Sequence, residues 1–138
     1  MPTSDVAPRF FVDENLLAIG RALAAVREDV VYPGHRDLPE VPTGTPDQEW
    51  LRVIGRGGLD LVLLTRDQEI RRKPGELAAL KACCIRAIFL AGKVDMTRWD
   101  KLTLIVKSWD RLERAITKNG AGPWALAMTP GRLKDISL

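Results

Sequence analysis

Three aspartates in this 138-residue chain sit where side chains can act together: Asp13, Asp47 and Asp67. Asp13 closes the apolar run Phe10-Phe11-Val12, and Asp67 follows Leu63-Leu64-Thr65-Arg66. Asp47 opens a helix announced by Thr45-Pro46. In an open parallel sheet, groups beyond the carboxyl ends of the strands share one edge, which is where such sheets bind ligands. Three carboxylates gathered there repel one another unless a cation joins them. Hard divalent ions such as Mg²⁺ and Mn²⁺ prefer oxygen donors and keep several of their own waters. The plainer alternative is that each aspartate caps the helix after its strand, which contributes ~1 kcal/mol and needs no metal. Their joint placement on one edge favours the metal.

The elements that must carry these residues follow from apolar patterning. Arg9–Val12 reads as a buried strand. It leads into a helix over roughly residues 15–27, with Leu16, Ile19, Gly20, Leu23 and Val26 at helical spacing. Asp29–Tyr32 is a second strand. A loop from His35 to Gly44, rich in Pro and Gly, is long enough to suggest function. Thr45 as N-cap, Pro46 at the first helical position and Gln48 as the capping-box partner predict a helix that ends near Gly55-Arg56-Gly57-Gly58. Leu61–Leu64 is the clearest buried strand. A basic turn, Arg71-Arg72-Lys73-Pro74-Gly75, separates it from a helix over Glu76–Cys84, and Ala87–Leu90 is the fourth strand. Residues 98–118 predict the longest helix, with Trp99, Leu102, Ile105, Val106, Trp109, Leu112 and Ile116 on one face. Trp124–Met128 is a fifth strand, ended by Thr129-Pro130-Gly131. Alternating strands and helices imply an α/β fold with a mainly parallel central sheet and right-handed crossovers. The expected organisation is a leader over residues 1–8, one domain over 9–128 and a tail over 129–138.

Taken in order, Phe11-Val12-Asp13-Glu14-Asn15-Leu16, Thr45-Pro46-Asp47-Gln48-Glu49-Trp50 and Leu63-Leu64-Thr65-Arg66-Asp67 resemble the PIN-like domains. The likeness is strongest to the actinobacterial branch close to VapC-type toxins, and it extends over roughly residues 9–128. It implies a three-layer α/β/α sandwich and a Mg²⁺- or Mn²⁺-dependent ribonuclease whose metal-binding and catalytic acids match Asp13, Asp47 and Asp67. Members often carry a fourth acid, for which Glu14 and Glu76 are the candidates here. The resemblance also implies RNA as substrate and a cognate antitoxin as partner; the adjacent Cys83 and Cys84, unsuited to a mutual disulfide, read as small buried hydrophobes in a reducing cytoplasm. Products would carry 5′-phosphate and 3′-hydroxyl ends.

Charge is uneven. Residues 1–65 carry six Lys/Arg against ten Asp/Glu, and residues 66–138 carry fifteen against eight, within a formal net charge of +3. A basic second half suits a polyanion. Arg66, Arg71, Arg72 and Lys73 surround Asp67 in sequence and are the candidate RNA-binding residues, because guanidinium groups grip phosphate oxygens. On the long helix Lys107, Arg111, Arg114 and Lys118 form a second basic stripe that could track a nucleic-acid backbone, although a basic outer face is more often plain solvated surface. Other classes fall away. No apolar run approaches the ~18 residues of a membrane span. The leader lacks the basic and apolar regions of a secretory signal. One His and the adjacent Cys83 and Cys84 cannot supply zinc-finger spacing. The competing readings are a non-catalytic RNA-binding or regulatory PIN-like module, and an interaction domain using the long helix as a homodimer face.

Overall fold

The computed structural model describes residues 6–138, so the first five residues of the expected leader lie outside the described residues. Five parallel strands form most of one six-stranded sheet: β1 (Phe10–Val12), β2 (Val30–Val31), β3 (Val62–Thr65), β4 (Arg86–Leu90) and β5 (Trp124–Thr129). The order across the sheet is β2-β1-β3-β4-β5-β6, with β6 (Arg132–Ile136) antiparallel to β5. The central strands are apolar at nearly every position because helices cover both faces, as parallel sheets require.

Alternation along the strands divides the core in two. Val12, Leu64, Ile88 and Met128 face α1 (Leu17–Val26) and α5 (Arg98–Asn119) through Ile19, Leu23, Leu104, Leu112 and Ile116. Phe11, Leu63, Phe89 and Ala125 face the other way, onto α2 (Asp47–Ile54), α3 (Glu69–Arg72) and α4 (Pro74–Ala82) through Trp50, Ile54, Ile70 and Leu80. The result is the expected three-layer α/β/α sandwich. At Gly20 on α1 an added Cβ would stand 3.1 Å from the Cβ of Val12, so glycine lets this helix lie close on β1.

The structure departs from the sequence reading in four places. Residues 132–136, read as tail, extend the sheet as β6. Of the residues read as a basic turn, Arg71 and Arg72 belong to the one-turn helix α3, and Pro74 and Gly75 open α4, which ends at Ala82 and not at Cys84. Thr45 does not cap α2: Pro46 holds the N-cap position without a side-chain bond, and the Thr45 hydroxyl donates to the Pro42 carbonyl at 2.6 Å. On α5 the apolar face is narrower than expected, since Trp99 is 74% exposed and Val106 is exposed as well. Trp99 borders a small hollow against α1 with Ala18, Ile19 and Ala22.

Candidate active site

Asp13 leaves β1 with its N–H donating to the Leu64 carbonyl of β3 at 3.0 Å, which fixes the residue against the central strand. Its side chain is almost wholly buried, at 5% exposure. One carboxylate oxygen accepts the Glu14 N–H at 2.6 Å, capping the short 3-10 turn Glu14–Leu16, and the other accepts the Thr65 hydroxyl at 2.9 Å. Thr65, the last residue of β3, is the hub. While its hydroxyl donates to Asp13, the same oxygen accepts the Asp67 N–H at 3.0 Å and the Asn15 side-chain N–H at 3.4 Å. Asn15 in turn accepts the Arg66 N–H. The Asp-Glu-Asn and Thr-Arg-Asp segments are thereby one hydrogen-bonded unit joining the ends of β1 and β3.

Asp47 and Glu76 enter this edge from the helix layer. Trp50 is buried and stacked on Phe11 with ring centroids 4.9 Å apart, and its indole N–H donates to the Asp47 carboxylate at 3.1 Å. The N-termini of α2 and α4 meet closely: a Cβ on Gly75 would lie 2.7 Å from the side-chain nitrogen of Gln48.

The electrostatics register the convergence. Burial is the main cause that pushes the Asp13 carboxyl up to about 6, opposed by the bonds from Thr65 and Glu14 and reinforced by the charges of Asp47 and Asp67. Burial also raises Asp47. The Trp50 bond opposes that shift, Asp67 and Glu76 add to it, and Lys73 pulls it down. The charges of Asp47 and Asp67 thus reach Asp13, and those of Asp67 and Glu76 reach Asp47; of the two candidate fourth acids, Glu76 is the one whose charge bears on an aspartate of the group. Glu14 is committed elsewhere. Its carboxylate accepts the Gly44 N–H at 2.8 Å and ties the 3-10 turn to the Pro-rich loop. Asp67, one residue ahead of the Gln68 N-cap, also bonds to the start of α3, accepting the Glu69 N–H at 2.9 Å.

An all-carboxylate donor set with an uncompensated buried member fits a hard divalent cation. Among the described residues, no three His, Cys, Asp or Glu side chains stand close enough to enclose an ion. Mg²⁺ bound through one or two carboxylates, with waters and substrate oxygens filling its shell, needs no such enclosure.

The basic residues separate into two kinds. Arg71 is tied into the fold. Its guanidinium donates to Gln68 at 2.9 Å and to the Ser137 carbonyl at 3.1 Å, and lies 5.4 Å from the Phe89 ring centre. Arg66 turns toward the loop after β4, donating to the Lys93 carbonyl and meeting the Met96 sulfur. Arg72 and Lys73 are exposed, with a 3.5 Å contact between Arg72 and Glu69. Sequence reasoning missed Thr65, Asn15 and Trp50 as positioning residues. Their signal was present, since all three lie inside the motif segments.

A family model described as a PIN like domain matches residues 8–92. The chain belongs to the PIN-like domain family, a superfamily of nucleases that generally use divalent metals. The match includes all four acids and ends just after β4, short of the 9–128 expected from the sequence. No curated protein and no solved structure matches the chain. No helix among the described residues is long and apolar enough to cross a membrane.

Proposed function

We propose that the protein is a Mg²⁺- or Mn²⁺-dependent endoribonuclease that hydrolyses RNA phosphodiester bonds, acting in the cytoplasm as the toxin of a toxin–antitoxin pair. The observation that supports the catalytic reading is the gathering of Asp13, Asp47 and Asp67 at the carboxyl edge of a nuclease-family sheet, where the charges of Asp47 and Asp67 bear on buried Asp13 and that of Glu76 bears on Asp47. Asp13, oriented by Thr65, and Asp47, oriented by Trp50, would hold the ion, with Asp67 and Glu76 around it. When bound, the metal supplies Lewis acidity toward a phosphoryl oxygen and lowers the pKa of a water. The carboxylates keep the edge anionic until the ion arrives, while exposed Arg72 and Lys73 attract the RNA backbone. The toxin role and its antitoxin partner rest on the likeness of the motif segments to VapC-type proteins.

The test is cleavage of a structured RNA pool in Mn²⁺ and in EDTA by wild type and Asp67→Asn. Asparagine preserves size and can still accept the Glu69 N–H, but it lacks the charge. Activity should fall by ~100-fold or more, several kcal/mol of transition-state stabilisation, with circular dichroism unchanged. Equal cutting by both proteins, or none by wild type with any divalent metal, refutes the nuclease. Because no three acids among the described residues stand close enough to enclose an ion, the second reading is a non-catalytic PIN-like module that binds RNA. It predicts RNA binding indifferent to EDTA.

A further inference from the structure

A cleft of about 570 Å³ opens between α5 and the loops that follow β4 and β5. Gly92 and Lys93 lie just beyond the end of β4, and Pro130 and Gly131 just beyond the end of β5. Both strands run parallel to β1 and β3, so the cleft occupies the same edge of the sheet as the acids. Arg66, between Thr65 and Asp67, spans the interval by donating to the Lys93 carbonyl and reaching the Met96 sulfur, and Met96 lines the cleft.

The lining is chemically divided. Met96, Leu104 and Pro130 offer apolar surface, whereas Lys93, Lys107 and Arg111 bring three cations. None of these cations forms an ion pair with a described residue. The one carboxylate at the cleft, Asp100, accepts the Thr97 N–H in the capping box of α5. Ser108 also lines the cleft. It is 1% exposed, yet its hydroxyl has no hydrogen-bond partner. A buried hydroxyl normally finds a partner, if only a carbonyl of its own helix. One left without a partner beside a cleft is available to a ligand.

We infer that this cleft is a nucleotide subsite: its apolar surface receives one unstacked base of the RNA strand, Ser108 bonds to the edge of that base, and Lys107 and Arg111 hold the adjoining phosphate. Bases turned out of a single strand are recognised by this combination of apolar stacking surface, a few polar groups at the base edge and cations along the backbone. Asp100, at the end of α5 away from Arg111, disfavours phosphate there and directs the anion toward Lys107 and Arg111. The inference rests on the nuclease reading for RNA as the polymer, and it adds the position at which sequence preference is read.

The experiment is titration of the full chain with each of the four ribonucleoside 5′-monophosphates in EDTA, followed by calorimetry. Saturable binding of at least one nucleotide is expected. Ser108→Ala should weaken it by about fivefold, the worth of one hydrogen bond, while leaving the melting temperature unchanged or raised because an orphaned hydroxyl is gone. Lys107→Ala/Arg111→Ala, two changes outside the core, should weaken binding by about tenfold and flatten its salt dependence. No saturation by any of the four nucleotides, affinity for inorganic phosphate equal to that for the nucleotides, or wild-type affinity in both variants overturns the subsite. With no divalent metal and no cleavage in the assay, such failure leaves the nuclease reading standing. Nucleotide binding by a protein that never cuts RNA overturns the nuclease reading alone.

Discussion

Replacing Asp13 by asparagine should make the protein more stable at neutral pH and should remove its response to metal. The carboxyl has its pKa pushed to about 6 from an ordinary 3.8, mainly by burial. A carboxyl whose folded pKa lies above its unfolded value adds stability below the unfolded value and loses it as pH rises through the folded one. Above pH 7 the ionised Asp13 thus costs about 3 kcal/mol, from roughly two pKa units at ~1.4 kcal/mol each. Asparagine removes that cost but leaves one acceptor oxygen for two donors, the Glu14 N–H and the Thr65 hydroxyl. Losing one such bond costs ~1 kcal/mol. The net gain is ~2 kcal/mol at pH 7.5, or ~6–8 °C for a chain of this length. At pH 4.5 the wild-type group is largely protonated, and the same substitution should be close to neutral. Thermal melts in EDTA at both pH values measure the difference, and a third melt with Mn²⁺ at pH 7.5 should show stabilisation of wild type only. A similar loss of stability at both pH values would show that Asp13 is a helix cap and nothing more.

Further substitutions separate roles that the sequence lists together. Glu76→Gln should lower Mn²⁺-dependent cleavage by ~10-fold or more, whereas Glu14→Gln should leave it within about twofold, as initial rates on one RNA will show. Arg71→Ala should reduce the melting temperature without altering the salt slope of RNA binding, because its guanidinium joins α3 to the Ser137 carbonyl. Arg72→Ala/Lys73→Ala should flatten that slope and leave the melting temperature alone. Thr65→Val removes the donor to Asp13 and the acceptor for the Asp67 N–H. It should cost ~2–3 kcal/mol in urea unfolding and move the Asp13 titration, followed by carboxyl NMR shifts, to higher pH.

Much of this architecture was legible because burial writes itself into composition. Phe10-Phe11-Val12 and Val62-Leu63-Leu64 are apolar on both faces, and only a sheet covered on both sides asks for that. Strand β6 was not legible. Arg132-Leu133-Lys134-Asp135-Ile136 is an edge strand, and its pairing depends on a neighbour 3–11 residues away rather than on its own hydrophobicity. Helix α3 escaped for a related reason, since a single buried residue, Ile70, anchors it. In the site, Asp13 and Asp67 followed from strand ends and Asp47 from a helix start, but their partners did not. Whether Arg71 faces RNA or the Ser137 carbonyl depends on where the chain end returns, which no local pattern records.

The two borders of the sheet bear on how copies of this chain can associate. β2 contributes only Val30 and Val31 to one border, and β6 carries exposed Arg132, Lys134 and Asp135 on the other. A short strand and a charged strand are both poor templates for an incoming backbone. Growth of the sheet from one molecule into the next is therefore blocked at each end. The longer apolar strands β3, β4 and β5 stay inside, away from either border.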